Sequence, residues 1–332
     1  MAPVRIGLLG AARIAPRALI DPARTVPDAE VVAVAARDPE RARAFAKKHG
    51  IAKVHPDYET LLADPDVDAV YNALPNALHG AWTIAALEAG KHVLCEKPFT
   101  ANGDEASSVG DAAERSGKVV MEAFHYRYHP LMARALDIVG DGSLGPIRDI
   151  ATRMVVVVPN RRNIRYRLDL AGGAVMDVGC YALHELRAVA AADPVVTRAA
   201  AVLASPGVDR VMDAHFEFAD GRTGRMTCAL IAGRFPVTDI RVTGENGTLR
   251  VLNPTRPQMM GSLTVRTADG TKRRERVKGQ PTFWYQLQAF CGAVQRGEPT
   301  LTPPADSIAN MRVIDAVYEA AGLAPRQPFA SG

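Results

Sequence analysis

From residue 4 to about residue 123 the chain alternates apolar runs of strand length with stretches of helical periodicity, a rhythm that leaves few folds open. The runs are VRIGLLG (4–10), VVAVAA (31–36), DAVYNAL (68–74), HVLCEK (92–97) and VVMEAF (119–124). They are apolar almost throughout rather than at every second position, which predicts parallel strands covered on both faces. PERARAFAKKHG and AWTIAALEAG between them read as helices, the second ending on Gly90 as its C-cap. Strand-helix alternation of this kind predicts a doubly wound α/β sheet.

Beyond about residue 145 the rhythm changes. RDIATRMVVVV, VVTRAAAVLA, DAHFEFADGRTGRMTCALI, DIRVTGENGTLRVL and SLTVRTADGTKRRERV are strand-like, and Asp220-Gly221, Asn246-Gly247 and Asp269-Gly270 mark hairpin turns. A large, mostly antiparallel open sheet in an α+β domain is expected. With 332 residues the chain fits two domains, 1–124 for the Rossmann-type sheet and 125–332 for the second. Helices can cover one face of the larger sheet and a second subunit the other, so a homodimer or higher homo-oligomer is expected through it. The tail, APRQPFASG, reads as a loose end.

Forty basic residues stand against 36 acidic ones, spread along the chain, and aromatics make up only 6%. Neither a basic footprint nor a stacking platform for nucleic acid results. Cysteines 95, 180, 228 and 291 show no C-x-x-C pair and no metal-ligand spacing. Their apolar neighbours predict buried, reduced thiols and a reducing compartment. MAPVRIGLLGAAR lacks the length and cleavage pattern of a signal peptide, and no stretch is long enough to span a membrane. A cytoplasmic protein without metal, membrane or nucleic-acid partner is expected.

GLLGAARIAP (7–16) follows the first strand, where a dinucleotide fingerprint G-x-G-x-x-G would stand. Here it reads Gly10-x-Ala12-x-x-Ala15, with alanine at the second and third positions. The backbone of Gly10, Ala11, Ala12, Arg13 and Ile14 would face a pyrophosphate at the helix start, although a small-residue turn is also a common structural feature. The second strand ends Val34-Ala35-Ala36-Arg37-Asp38-Pro39. No carboxylate awaits a ribose 2′-hydroxyl, and Arg37 can pair with a 2′-phosphate, which favours NADP over NAD. Asp38 before Pro39 reads as a helix N-cap. Arg41, one turn on, is either a second phosphate contact or part of a solvated face.

Strand tips at the carboxyl edge line the ligand crevice of such a sheet. Three tips are polar: Leu74-Pro75-Asn76-Ala77-Leu78-His79, Glu96-Lys97-Pro98 and Glu122-Ala123-Phe124. Asn76 and His79 can equally cap the next helix, whereas Lys97, held by Pro98, is a positioned ammonium. In GGAVMDVGCYALHEL (172–186) a helix would put Asp177, Tyr181 and His184 on one face at i, i+4 and i+7. Its other residues are mostly apolar, so the polar stripe needs partners, either a structural network or a ligand.

G-A-A-x-I-A after strand one, A-R-D after strand two, P-N-x-x-H, G-K-H-V-L-C-E-K-P, M-E-A-x-x-x-R-x-x-P (Met121 to Pro130) and G-G-A-x-x-D-x-G-x-Y recur in this order. Together they resemble the glucose-fructose oxidoreductase/inositol dehydrogenase/rhizopine catabolism (Gfo/Idh/MocA) family over nearly the whole chain. Tyr181, where many members have His, resembles the branch of dimeric dihydrodiol dehydrogenases, NADP-dependent xylose dehydrogenases and keto-sugar reductases. The resemblance implies a Rossmann domain, a substrate-binding and dimerisation domain, and hydride transfer between NADP and a CH-OH/C=O group of a sugar or trans-dihydrodiol. It further implies that Lys97 and Tyr181 form the acid/base pair, that Asp177 binds or orients substrate, and that Glu96 and Asn76 hold the nicotinamide-ribose end, next to Leu74 and His79. The substrate wall it implies is PNRRNIRYRLD (159–169), with Arg161 and Arg165 among four arginines, joined by His125, Arg127, His184 and Trp284.

Other readings stay open on these residues. A keto-sugar or sugar-nucleotide reductase would use the arginines on phosphates, a tightly held NADP would shuttle hydride between two sugars, and a catalytically silent NADP-binding redox sensor would need the fingerprint without Lys97, Asp177 and Tyr181 together.

Overall fold

The computed structural model describes residues 2–230 and 236–329. Six strands, β1 (Val4–Leu9), β2 (Ala29–Ala35), β3 (Lys53–His55), β4 (Ala69–Asn72), β5 (His92–Cys95) and β6 (Val120–Glu122), pair in parallel in the order β3-β2-β1-β4-β5-β6. The order reverses between β1 and β4, where the carboxyl ends of the strands open a crevice. All four residues of β4 are buried, as the unbroken apolar runs require of strands covered twice. β3 was not among the predicted strands. With three residues it is too short to carry a period, and only its pairing with β2 defines it.

After β1 a π-helical turn, Pro16–Ile20, runs into α1 (Asp21–Ala23). The helices α2 (Pro39–His49), α3 (Tyr58–Ala63), α4 (His79–Glu88) and α5 (Gly103–Ser116) follow the next strands. Asp38 caps α2 as expected, accepting from the amides of Glu40 and Arg41, and Gly50 closes it at φ 74°.

The rest of the chain forms α6 (Pro130–Gly140), β7 (Ile147–Val156), a π-helical turn Val175–Gly179 leading into α7 (Cys180–Ala190), then β8 (Val195–Ser205), β9 (Val208–Glu217), β10 (Thr223–Leu230), β11 (Val237–Gly244), β12 (Gly247–Leu252), α8 (Pro257–Met260), β13 (Ser262–Thr267), β14 (Lys272–Glu275), α9 (Thr282–Arg296) and α10 (Pro304–Ala320). Eight strands make a sheet ordered β14-β13-β12-β11-β7-β10-β9-β8. It is antiparallel apart from the β7–β10 pair, and all three hairpin signals join antiparallel neighbours. Ile231, the last residue of one predicted strand run, lies outside the described residues. α7 packs on β7 and β10, over Ile150, Thr152 and Met154. On the opposite face Arg153, Arg241 and Arg250 all bind Asp239, which is fully buried among them.

The chain divides into two compact units, residues 1–125 with 283–308 and residues 126–282 with 309–332. The expected single cut after residue 124 misses the return of 283–308 to the first unit. Its cause is a pair of long-range bonds: the Glu122 amide donates to the Thr302 carbonyl (3.1 Å) and the Thr302 hydroxyl donates to the Glu122 carbonyl (2.7 Å), extending the β6 edge. Phe283, Leu287 and Phe290 of α9 are buried as well. The loose-end reading of the tail is also corrected. Arg326 is only 2% exposed and bonds to Gly172 and Asp209, while residues 330–332 lie outside the described residues.

Candidate active site

In the first unit the turn after β1 is built around Gly10 at φ 90°. A side chain there would strain the backbone and meet Leu74 Cδ2 at 3.0 Å. The Gly10 amide donates to Ala35 (2.8 Å), and Ala12 folds back onto the Gly10 carbonyl (2.8 Å). Ala11 and Ala15 are buried, Ala12 and Ile14 half-buried and Arg13 exposed. Alanine at the second and third fingerprint positions therefore fits a turn whose small side chains pack inward. Arg41 reaches from α2 to donate to the Ala11 carbonyl (2.7 Å), so it braces this turn as well as facing solvent. At the tip of β2 Ala36 is buried and Arg37 exposed, its amide donating to the Tyr58 hydroxyl (3.2 Å). Tyr58 packs edge-on against Trp82 at 4.7 Å. A glycine cradle, a small residue at the strand tip and an exposed guanidinium beyond it fit a dinucleotide carrying a 2′-phosphate.

Glu96 and Lys97 follow β5 directly. Glu96 is buried, accepts from the Tyr71 hydroxyl (2.5 Å) and from the Lys97 amide (3.3 Å). Burial pushes its carboxyl up, and the neighbouring Lys97 charge opposes that. Lys97 is half-buried and its peptide with Pro98 is cis. His79, expected at the cofactor, is 1% exposed, with Nδ1 2.7 Å from the Pro98 carbonyl and Nε2 2.8 Å from the Leu74 carbonyl. Its ring thus lies between the carbonyls that follow two strand tips. Burial holds its pKa below the usual range. Asn76 and Leu74 lie on the same tip, half-buried and buried. His125 stacks on Phe283 at 4.0 Å, Arg17 lies 5.7 Å over the same ring, and Trp284 meets Tyr285 edge-on at 5.2 Å.

In the second unit Asp177 sits in the π-turn, and Tyr181 and His184 follow on α7. The stretch is helical from Val175, but its first turn closes its bonds five residues apart rather than four. Asp177 accepts from Arg165 Nε at 2.6 Å, which joins the arginine-rich loop to this turn. His184 is buried and its Nδ1 lies 2.7 Å from the Tyr126 hydroxyl. The Tyr126 ring lies 6.1 Å from that of Tyr181. Arg161 extends along the surface toward the Ala204 carbonyl (3.5 Å), and Arg127 is half-buried. The loop is thus joined to the helix through Arg165 alone of the two arginines.

Several supporting residues were missed from sequence. Tyr71 sat unnoticed inside the strand run 68–74, although a hydroxyl in a fully buried strand signals a partner. Tyr126 lay within the HYRY run and Tyr58 carried no signal at all. The four cysteines are buried and form no disulfide. Among the described residues no cluster of metal-ligating side chains occurs, and no helix is long and apolar enough to cross a membrane.

A family model described as an oxidoreductase family with an NAD-binding Rossmann fold (GFO_IDH_MocA) matches residues 4–124, and that of the GFO/IDH/MocA C-terminal domain matches residues 132–250. D-xylose 1-dehydrogenase (NADP(+)) 2 of Haloferax volcanii is 38% identical over 95% of this chain and 96% of its own. Trans-1,2-dihydrobenzene-1,2-diol dehydrogenase of Bos taurus is 33% identical over 68% of this chain and 67% of its own. The crystal structure of a 3-ketoreductase from Actinomadura kijaniata with NADP and TDP-benzene superposes with a TM-score of 0.89 at 29% identity, covering 96% of this chain and 98% of that one.

Proposed function

The chain belongs to the GFO/IDH/MocA oxidoreductase family, and on that premise we propose an NADP-dependent dehydrogenase acting on a CH-OH group of a sugar or trans-dihydrodiol. The observation that carries the reading is the β2 tip, where buried Ala36 and exposed Arg37 stand in place of a ribose-binding carboxylate. The full-length likeness to an NADP-dependent xylose dehydrogenase supports it.

The turn Gly10–Ile14 would hold the pyrophosphate, Arg37 the 2′-phosphate, with Glu96, Asn76 and Leu74 at the nicotinamide-ribose end. When bound, NADP supplies the acceptor or donor of hydride. Tyr181 is assigned the proton of the substrate hydroxyl, which its phenolate oxygen takes in oxidation and its hydroxyl returns in reduction. Lys97 is assigned as the second member of the acid/base pair. Asp177, aligned by Arg165, would accept from neighbouring substrate hydroxyls. Arg127, Arg161, His125 and Trp284 would line the remainder, and His184, bonded to Tyr126, would hold α7 behind Tyr181.

The open face of the eight-stranded sheet is proposed as a homodimer surface. Asp213 and Glu217 lie on β9, and Arg250, Arg266, Lys272 and Arg274 on β12 to β14, so two copies related by a twofold axis can match these opposite charges. The buried thiols suit a reducing, cytoplasmic setting.

A second reading, a sugar-nucleotide ketoreductase, is favoured by the arginine-rich loop reaching Asp177 and by the likeness to the 3-ketoreductase. The deciding experiment incubates purified protein with NADP⁺ or NAD⁺ and aldoses or trans-dihydrodiols, and follows nicotinamide absorbance. Turnover with NADP⁺ is expected. Turnover with NAD⁺ alone would refute the cofactor assignment, and silence with all donors but oxidation of NADPH by a keto-sugar nucleotide would favour the second reading.

A further inference from the structure

Gly172 and Gly173 form a node between the arginine-rich loop and the π-turn that carries Asp177. The Gly172 amide donates to the Arg167 carbonyl (2.8 Å) and the Gly173 amide to the Arg165 carbonyl (2.9 Å), while the Gly173 carbonyl accepts from the Asp177 amide (3.0 Å). Arg165 and Asp177, whose side chains pair, are therefore both bonded through their backbones to Gly173, and Gly172 before it holds Arg167.

A buried polar cluster grips that node from its other side. Arg326 donates through Nε to the Gly172 carbonyl (2.8 Å) and through Nη2 to Asp209 (2.8 Å), and its guanidinium stacks 4.0 Å over the Tyr318 ring. Asp209 also accepts from the Tyr318 hydroxyl (3.0 Å) and from the Val175 amide (2.8 Å), an otherwise orphaned donor at the start of the turn. Arg326 is 2% exposed, and Asp209 and Tyr318 are fully buried. Gly173 stands at φ 138°, and a Cβ there would collide with the Asp209 carboxylate. An apolar cluster of the same volume would give comparable stability. What the polar one adds is a fixed position for two backbone groups, the Gly172 carbonyl and the Val175 amide, and so for the chain between them.

We propose that Asp209 and Arg326 are positioning residues for substrate recognition: they set the node at Gly172–Gly173 and thereby the Arg165–Asp177 pair. The proposal rests on the assignment of that pair to substrate binding. It gives the C-terminal segment, remote in sequence, a role in the site.

The test compares two variants with wild type, using D-xylose and NADP⁺ as probes. Arg326→Met combined with Asp209→Asn removes both buried charges while leaving an acceptor for the Val175 amide. Arg326→Lys keeps the charge but cannot span Gly172 and Asp209 with one planar fork. The double variant is expected to bind NADPH as wild type does, and its KM for D-xylose to rise about tenfold or more with a smaller change in kcat, since displaced binding groups act mainly on ground-state affinity. Arg326→Lys should fall between the two. Amide hydrogen exchange should accelerate over residues 165–177. Unchanged KM together with exchange increased only in the tail would overturn the proposal. Should the double variant not fold, Arg326→Lys carries the same comparison. Should wild type turn over neither cofactor, the functional reading fails while exchange over 165–177 still decides whether the lock positions the node.

Discussion

At the scale of single residues, the sequence alone pointed to Arg37, because the chemistry of a 2′-phosphate demands a cation where a ribose diol demands a carboxylate. Its neighbour Asp38 is fully engaged as the cap of α2, which leaves the strand tip without an acid. Replacing Arg37 by Gln should raise the KM for NADP⁺ by about 10- to 100-fold, the worth of one or two charge-assisted hydrogen bonds, and leave that for NAD⁺ nearly unchanged. Equal losses with both cofactors would show that Arg37 only supports the fold. Tyr181→Phe removes the hydroxyl assigned to proton transfer. A fall in kcat of ~10²–10⁴-fold is expected, with NADPH binding retained in a fluorescence titration. A folded variant turning over at the wild-type rate would exclude Tyr181 from the chemistry. The supports of these residues were not legible. Tyr58 reaches Arg37 across 21 positions and Tyr71 reaches Glu96 across 25, and no local pattern encodes such pairings.

At the scale of elements, α7 was legible as a buried helix from its apolar content, but the π-turn before it was not. Periodicity reports which face is buried, not whether a hydrogen bond closes four or five residues back. Gly179 is where the turn comes closest to the sheet, since a Cβ there would meet Cys228 Sγ at 2.9 Å. The same helix holds Glu185, fully buried, with no hydrogen-bond partner for either carboxylate oxygen among the described residues. Burial raises its pKa well above the ordinary 4.5. Above that ordinary value the unfolded chain has lost a proton that the folded chain keeps, so stability falls as pH rises from there toward the folded value. Glu185→Met should remove this slope and stabilise the protein by about 1–3 kcal/mol at neutral pH, read as a melting temperature whose gain is larger at pH 8 than at pH 5. A gain independent of pH would mean that the carboxyl is already ionised in the fold, held by a partner.

At the scale of the whole molecule, the proposed assembly uses the open face of the eight-stranded sheet. Arg225, Arg241 and Arg250 stand exposed on it, so association through this face should respond to salt. Sedimentation at micromolar protein is expected to show a dimer that weakens as salt is raised and dissociates on replacing Arg266 and Arg274 by Glu. A dimer indifferent to both would lie on another surface. The passage of the chain back into the first unit at residue 283 was hidden from sequence for a related reason. α9 looks like any amphipathic helix, and the hydrogen bonds of Thr302 to Glu122 span 180 positions.

What the sequence determined by itself is whatever repeats or caps locally: the parallel strands, the turn at Gly10, the cap at Asp38, the hairpins, and the set of motifs that mark the family. Those features arise from covalent sterics, amide capping and the two periods of burial, all of which act within a few residues. Only the tertiary structure decided what each polar side chain binds. It set the His79 ring between two carbonyls, placed Arg165 on Asp177, and drew Arg326 from the tail into the core. A buried polar group must find a partner wherever in the chain one lies, and which partner is nearest is fixed only when the whole chain has folded.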